Sequence, residues 1–195
     1  MAEAKTNTSA TNMAARARLI EIVKARSFQE GPEMTLASGK TSTFYFNMKP
    51  TMLDSEGAYL IASLILDQLD GVAADLVGGL EMGAVPIAAS VTAVAHTRGR
   101  KLPAFFVRKQ AKEHGTKSLI EGLGRNETMA GKRVVIVEDV TTTGGSSIKA
   151  AEAIRAAGGD IVRVITIVDR LDGAAEAFAA AGLDFRPLLT LKDFR

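Results

Sequence analysis

Apolar positions along this chain follow two periods. In residues 14–25, Ala15, Leu19, Ile22 and Val23 recur at helical spacing with charges between them, which predicts an amphipathic helix. Residues 54–69 open on Asp54-Ser55-Glu56, a helix-start signal, and predict a second helix. Residues 83–97 predict a third, with Pro86 in its first turn, where a missing N–H is tolerated. The other apolar segments are short runs at 75–79, 103–107, 133–137, 161–168 and 185–190, the later ones separated by helical stretches at 148–157 and 173–181. Strands alternating with helices of about 10–15 residues predict an α/β fold, a parallel sheet flanked by helices on both faces. Residues 34–48 break the pattern. They are aromatic and hydroxyl-rich, with turn signals at Gly31-Pro32 and Ser38-Gly39, and predict a small N-terminal β hood over about residues 31–50.

Nothing repeats and nothing reads as a linker, so a single domain is expected over residues 1–195, with the polar residues 1–12 frayed. At 195 residues the chain can bury one substantial core. Its net charge is only +2, and no basic tail or stripe of the kind that binds nucleic acid stands out. The absence of cysteine excludes disulfides and thiolate metal sites. No stretch reaches the roughly 18 uninterrupted apolar residues of a membrane span, and the N-terminus lacks the apolar core of a secretory signal. The expectation is a soluble, cytoplasmic protein with no nucleic-acid or membrane partner.

The chemistry concentrates in residues 134–147. Four apolar residues, Val134 to Val137, lead into Glu138-Asp139, then Val140-Thr141-Thr142-Thr143-Gly144-Gly145-Ser146-Ser147, and a helix follows. A strand feeding a small-residue loop at a helix N-terminus is a phosphate cradle, because loop N–H groups and the helix dipole both favour an anion. Two carboxylates at its mouth repel a bare phosphate but suit sugar hydroxyls, which donate to them, or a metal, so the segment reads as built for a sugar phosphate. The P-loop pattern requires Lys directly before its Ser or Thr, and the dinucleotide pattern requires Gly-x-Gly-x-x-Gly; neither is present here. A second segment, Arg108-Lys109-Gln-Ala-Lys112-Glu-His114-Gly115-Thr-Lys117, gathers four cations and one histidine on a long predicted loop. Long loops inside compact domains are often lids, and a basic lid suits a diphosphate. A solvated charged loop is the plain alternative. Parallel sheets bind ligands at the carboxyl ends of their strands, a rule that gathers residues 78–82, the basic loop, Glu138–Ser147 and Asp169-Arg170 around one crevice.

The 134–147 segment resembles the phosphoribosyl-diphosphate (PRPP) motif of the type I phosphoribosyltransferases, with Glu138 where many members have Asp. The basic loop, Arg108-Lys109-x-x-Lys112-x-His114-Gly115, resembles the catalytic loop of the orotate phosphoribosyltransferase family. Residues 36–47 resemble that family's hood, and Val168-Asp169-Arg170 its strand end carrying an orotate-reading Arg. The resemblance implies the type I phosphoribosyltransferase fold, PRPP and orotate as substrates, Mg²⁺ as cofactor without dedicated protein ligands, and a homodimer whose active sites are shared. It assigns catalysis to Lys112, His114 and Asp139. PRPP binding falls to Arg108, Lys109, Lys112, His114, Glu138, Asp139, Val140, Thr141, Thr142, Thr143, Gly144, Gly145 and Ser146, and orotate binding to Tyr45, Phe46, Thr142 and Arg170. Two departures remove cations: Ala37 and Met82 stand where the family often has Lys. A phosphoribosyltransferase for a purine base, or a catalytically silent PRPP sensor, are the alternatives. Base choice resides in the hood and around Arg170, where the match is weaker.

Overall fold

A computed structural model describes residues 2–35, 41–110 and 119–195. Ala37, the Ser38-Gly39 turn, Lys112 and His114 lie outside the described residues. The first helix, α1 (Ala2–Arg26), extends over the segment expected to fray; its anchoring residues Leu19, Ile22 and Val23 are buried in its second half. Strands β1 (Phe28–Thr35) and β2 (Thr41–Phe46) pair antiparallel as the hood, with Phe28 opposite Phe46. In β2 the buried residues are Ser42, Phe44 and Phe46, while Thr41, Thr43 and Tyr45 face out, the period-two alternation of a half-buried strand. A short helix, α2 (Lys49–Met52), was not predicted, although Pro50 in its first turn is a start signal. Helix α3 (Ser55–Gln68) begins where predicted: the Asp54 carboxylate accepts the Gly57 N–H at 3.0 Å, a cap that contributes about 1 kcal/mol.

The sheet proper comprises β3 (Leu76–Gly78), β6 (Arg133–Thr141), β7 (Asp160–Asp169) and β8 (Phe185–Thr190), all parallel and paired in that order. Helices α4 (Ala84–Thr97), α5 (Gly145–Ala156) and α6 (Ala174–Ala180) connect or flank these strands. Strand β4 (Phe106–Val107) closes an antiparallel ribbon with β5 (Ile120–Glu121) at the base of the basic loop. Its segment also runs beside β3 through parallel bridges at Val77–Ala104 and Leu80–Val107. The sheet therefore reads β4-β3-β6-β7-β8. The chain leaves β3 in one direction for β4 and resumes on its other side with β6, so the topological switch point lies between β3 and β6. Ligands of open α/β sheets bind at such a crevice.

Strand β6 is buried on both faces. Val135 and Val137 join the core formed with α1, α3 and α4, and Val134 and Ile136 the core formed with α5 and α6. Each such side chain contributes roughly 1.5–3 kcal/mol by leaving water. The strand is longer than its apolar run. Pairing with β7 continues through Glu138–Thr166 and Val140–Val168 to Thr141–Asp169, so the two acids lie on the end of the strand and not in the following loop.

Candidate active site

The glycines after β3 let the β3–α4 loop lie directly against β6. A Cβ on Gly79 would stand 2.4 Å from the Val137 carbonyl oxygen. At Gly83 it would stand 2.7 Å from Asp139 Oδ1 and 3.0 Å from Glu138 Oε1. Both carboxylates thus converge on a backbone position without a side chain. They line a cleft of about 640 Å³ whose other polar walls are Lys49, Glu81, Lys109 and Ser146, with Met82 at its mouth.

Glu138 is buried, and Ser147 Oγ donates to its Oε2 at 3.2 Å. Burial first, then the charge of and hydrogen bond with Asp139, push the Glu138 carboxyl up to about 8. Asp139 Oδ1 accepts the N–H of Val140 at 2.8 Å. In the ligand-free protein burial and the neighbouring acid therefore favour the protonated form of Glu138. The unfolded chain releases that proton near 4.5 and the folded chain only near 8, so across this window the folded state binds more protons and stability falls as pH rises. Glu138→Gln is expected to flatten this decline. Its ligand-free melting temperature should match the wild type near pH 5 and exceed it near pH 8, as thermal melts across that range would show. A wild-type decline in the variant would place the titration elsewhere.

Beyond the acids, Val140 to Ser147 fold around a small concavity lined by Thr141, Thr142, Gly144, Gly145, Ser146 and Ser147. Gly144 caps α5 at φ +80, where a Cβ would also press to 2.9 Å on the Phe178 ring; both constraints call for glycine. The first N–H groups of α5 have no partner within the helix and point toward this concavity. Thr141 Oγ1 is buried beside it without a hydrogen bond among the described residues. Thr142 is half-buried at the same place and Thr143 is exposed.

The basic loop enters from β4. The backbone of Glu81 donates to the Val107 carbonyl at 2.8 Å, and its carboxylate accepts the Lys109 N–H at 2.9 Å, tying the β3–α4 loop to the stem of the basic loop. Lys109 lines the cleft. Arg108 turns instead along the stem: its Nε donates to the Gln110 carbonyl at 3.2 Å, and its guanidinium lies 3.9 Å from Glu121.

At the same carboxyl end of the sheet, the Arg170 N–H donates to the Thr141 carbonyl at 3.0 Å, joining the ends of β7 and β6. The Arg170 side chain is buried under the hood. Its guanidinium lies 4.5 Å from the Phe44 ring centre, and one terminal nitrogen donates to Ser42 Oγ at 3.2 Å. Nε lies 3.3 Å from the Asp172 carboxylate but off the direction of a hydrogen bond, so that contact is Coulombic. The next residue, Leu171, is left-handed at φ +62, its N–H held by the Asp169 carboxylate at 2.9 Å, a strained turn that aims Arg170. Tyr45 is exposed, whereas Phe46 is buried against Phe28, Phe44 and Phe194. The Phe46 ring is thus hood packing.

Sequence reasoning did not single out Lys49, Ser147 or the Glu81 carboxylate. Lys49 carried one cue, the Pro50 helix start; Ser147 closes the small-residue loop, but its bond to Glu138 and the Glu81 bond to the basic-loop stem are contacts that no local pattern reports.

Residues 52–179, which carry the paired acids at the switch-point strand end and the small-residue loop before α5, match the phosphoribosyl transferase domain family model. The orotate phosphoribosyltransferase of Bradyrhizobium sp. strain ORS 278 is 58% identical over 181 residues, covering 93% of this chain and 97% of that protein. Two crystal structures of the Mycobacterium tuberculosis H37Rv orotate phosphoribosyltransferase each cover 92% of this chain and 98% of that one. One, with Fe(III) dicitrate, superposes with a TM-score of 0.79 at 40% identity; the other, in complex with PRPP, with 0.75 at 37%. The chain belongs to the orotate phosphoribosyltransferase family.

Proposed function

We propose that this protein transfers the 5-phosphoribosyl group of PRPP to orotate, giving orotidine 5′-monophosphate and diphosphate in pyrimidine biosynthesis. The convergence of Glu138 and Asp139 beside the Thr141–Ser147 cradle carries this reading, with a PRPP-bound relative of the same fold in support. A ring nitrogen of orotate attacks the anomeric carbon as the diphosphate departs, so catalysis consists of holding two substrates in line and stabilising the leaving charge. The cradle takes the 5′-phosphate and the two acids take the ribose 2′- and 3′-hydroxyls. Lys109, with Lys112 and His114 of the basic loop, covers the diphosphate. Lys49, which lines the same cleft as Met82, adds a cation there and offsets the charge missing at Met82. Arg170 and the hood receive orotate, with Thr142 and the main chain near Tyr45 and Phe46.

The residues present fit Mg²⁺ carried in with the substrate. Glu138 and Asp139 offer oxygen donors at the cleft, in keeping with a cation that retains most of its waters and few protein ligands. Bound there, Mg²⁺ would screen the diphosphate as it leaves.

The test is a PRPP-dependent assay across orotate, uracil, adenine, guanine and hypoxanthine. Turnover with orotate alone is expected. Preference for a purine would reassign the base, and binding of PRPP without turnover on any base would make the protein a sensor.

A homodimer with shared sites belongs to the same reading, as does a cytoplasmic location, which suits two small anionic metabolites. No described helix is long and apolar enough to cross a membrane. Exposed Leu53 and Met82 border the cleft and would be covered by a second subunit. Mixing an impaired Lys112→Ala protein with an impaired Asp139→Asn protein should raise activity above that of either alone, because a mixed dimer then holds one doubly damaged site and one intact site. No recovery after verified subunit exchange would place the basic loop in its own subunit's site.

A further inference from the structure

The Phe44 ring carries a second guanidinium. Arg195 lies 4.5 Å from the ring centre, the same distance as Arg170. Arg195 is itself held by both hood strands: its Nε lies 2.9 Å from the Glu30 carboxylate on β1, and a terminal nitrogen donates to Thr43 Oγ1 on β2 at 3.1 Å. Its neighbour Phe194 packs on Phe28 and Phe46, with ring centres 5.3 and 5.0 Å apart. On the inner side, Ser42 Oγ accepts from Arg170 while donating to the Phe44 carbonyl at 2.8 Å. One short stretch of β2 therefore links two arginines, one buried at the strand end of β7 and one exposed on the segment after β8.

We propose that Arg195 is a positioning residue for the base: by holding Phe44 and both hood strands, it sets the plane of the Arg170 guanidinium and the seat of the hood, and so governs affinity for the anionic base without touching it. The inference rests on the assignment of Arg170 to orotate. The physical grounds are two. A guanidinium stacked on an aromatic face is fixed in plane as well as in position, and a carboxylate or carbonyl pair is read by that plane. Moreover, the hood contacts the sheet through few polar links. Among the described residues those at β2 are the Arg170–Ser42 and Arg195–Thr43 bonds, so loosening one leaves the other to hold the hairpin.

The test separates orotate from PRPP. Arg195→Ala should raise the orotate KM by roughly 5-fold or more, the scale of one lost cation–π contact, while the PRPP KM and kcat stay within about 2-fold. Arg195→Lys keeps the charge but not the fork that spans Glu30 and Thr43, so it should recover only part of the affinity. Glu30→Gln weakens the same anchor with Arg195 in place and should shift the orotate KM in the same direction; it serves if Arg195→Ala does not fold. A purely structural role would lower the melting temperature and the active fraction but leave both KM values alone, and that result would overturn the proposal. Arg170→Lys is the control. If it raises the orotate KM while the Arg195 and Glu30 variants do not, Arg195 has no part in base binding. If it leaves the orotate KM unchanged, Arg170 does not read the base and both assignments fall.

Discussion

Gly83→Ala is expected to lower turnover by about 100-fold while the protein stays folded. The added methyl group would stand 2.7 Å from Asp139 Oδ1, 2.9 Å from its Cγ and 3.0 Å from Glu138 Oε1. Gly83 is already in helical backbone at φ −56, so alanine fits the local conformation, and the conflict is entirely with the two carboxylates. Pairing with β7 fixes the strand that carries the acids, and Gly83 is fixed at the start of α4, so the acid side chains must swing away. A displacement approaching 1 Å of groups that position a substrate costs on the order of 100-fold. Gly71→Ala makes the contrast. That glycine has φ +75 and nothing within 4 Å, so its variant should lose some stability through backbone strain and keep its turnover. Melting curves and steady-state rates on both variants decide the matter. A Gly83→Ala enzyme with near wild-type turnover would show that the carboxylates need not sit where they do.

Asp139→Asn should reduce kcat/KM for PRPP by about 10-fold or more, equivalent to about 1.4 kcal/mol of transition-state stabilisation. The geometry says why an isosteric change is harmful. Oδ1 is committed to the Val140 N–H at 2.8 Å. An asparagine must keep its carbonyl there, which turns its NH₂ group to the position where, in the proposed reading, Oδ2 accepts from a ribose hydroxyl. One acceptor becomes a donor, and the negative charge of the side chain is lost. Glu138→Gln should be the milder change in the ligand-free protein, because burial and the neighbouring acid already favour the protonated form of that carboxyl. Equal kinetic parameters for Asp139→Asn and wild type, with normal melting, would remove Asp139 from the reaction.

The parts of the site that were legible in advance are contiguous in the chain. Val134–Ser147 carries strand, acids, cradle and helix start within 14 consecutive residues, and each is recognised by a local rule: apolar run, paired charge, small-residue loop, helix cap. The Asp54 cap and the Pro86 turn were readable on the same grounds. The end of β6 was misplaced because apolarity alone was taken to mark the strand. Pairing with β7 carries the strand through two acids and on to Thr141, and backbone pairing is indifferent to side-chain polarity.

What the sequence alone determined, then, is the order of strands and helices, the phosphate cradle with its acids, and the family to which both belong. These follow from periodicity and from neighbours a few residues apart. Tertiary structure decided the rest. It placed the switch point between β3 and β6, brought Gly83 against acids more than 50 residues away, and set Lys49 in the wall of the cleft that Met82 also lines. It also buried Arg170 under a phenylalanine from the hood and beside the same ring as Arg195. Such contacts depend on how the sheet twists and which faces its helices cover, and a glycine or a lysine looks the same in the chain whether or not a carboxylate will meet it.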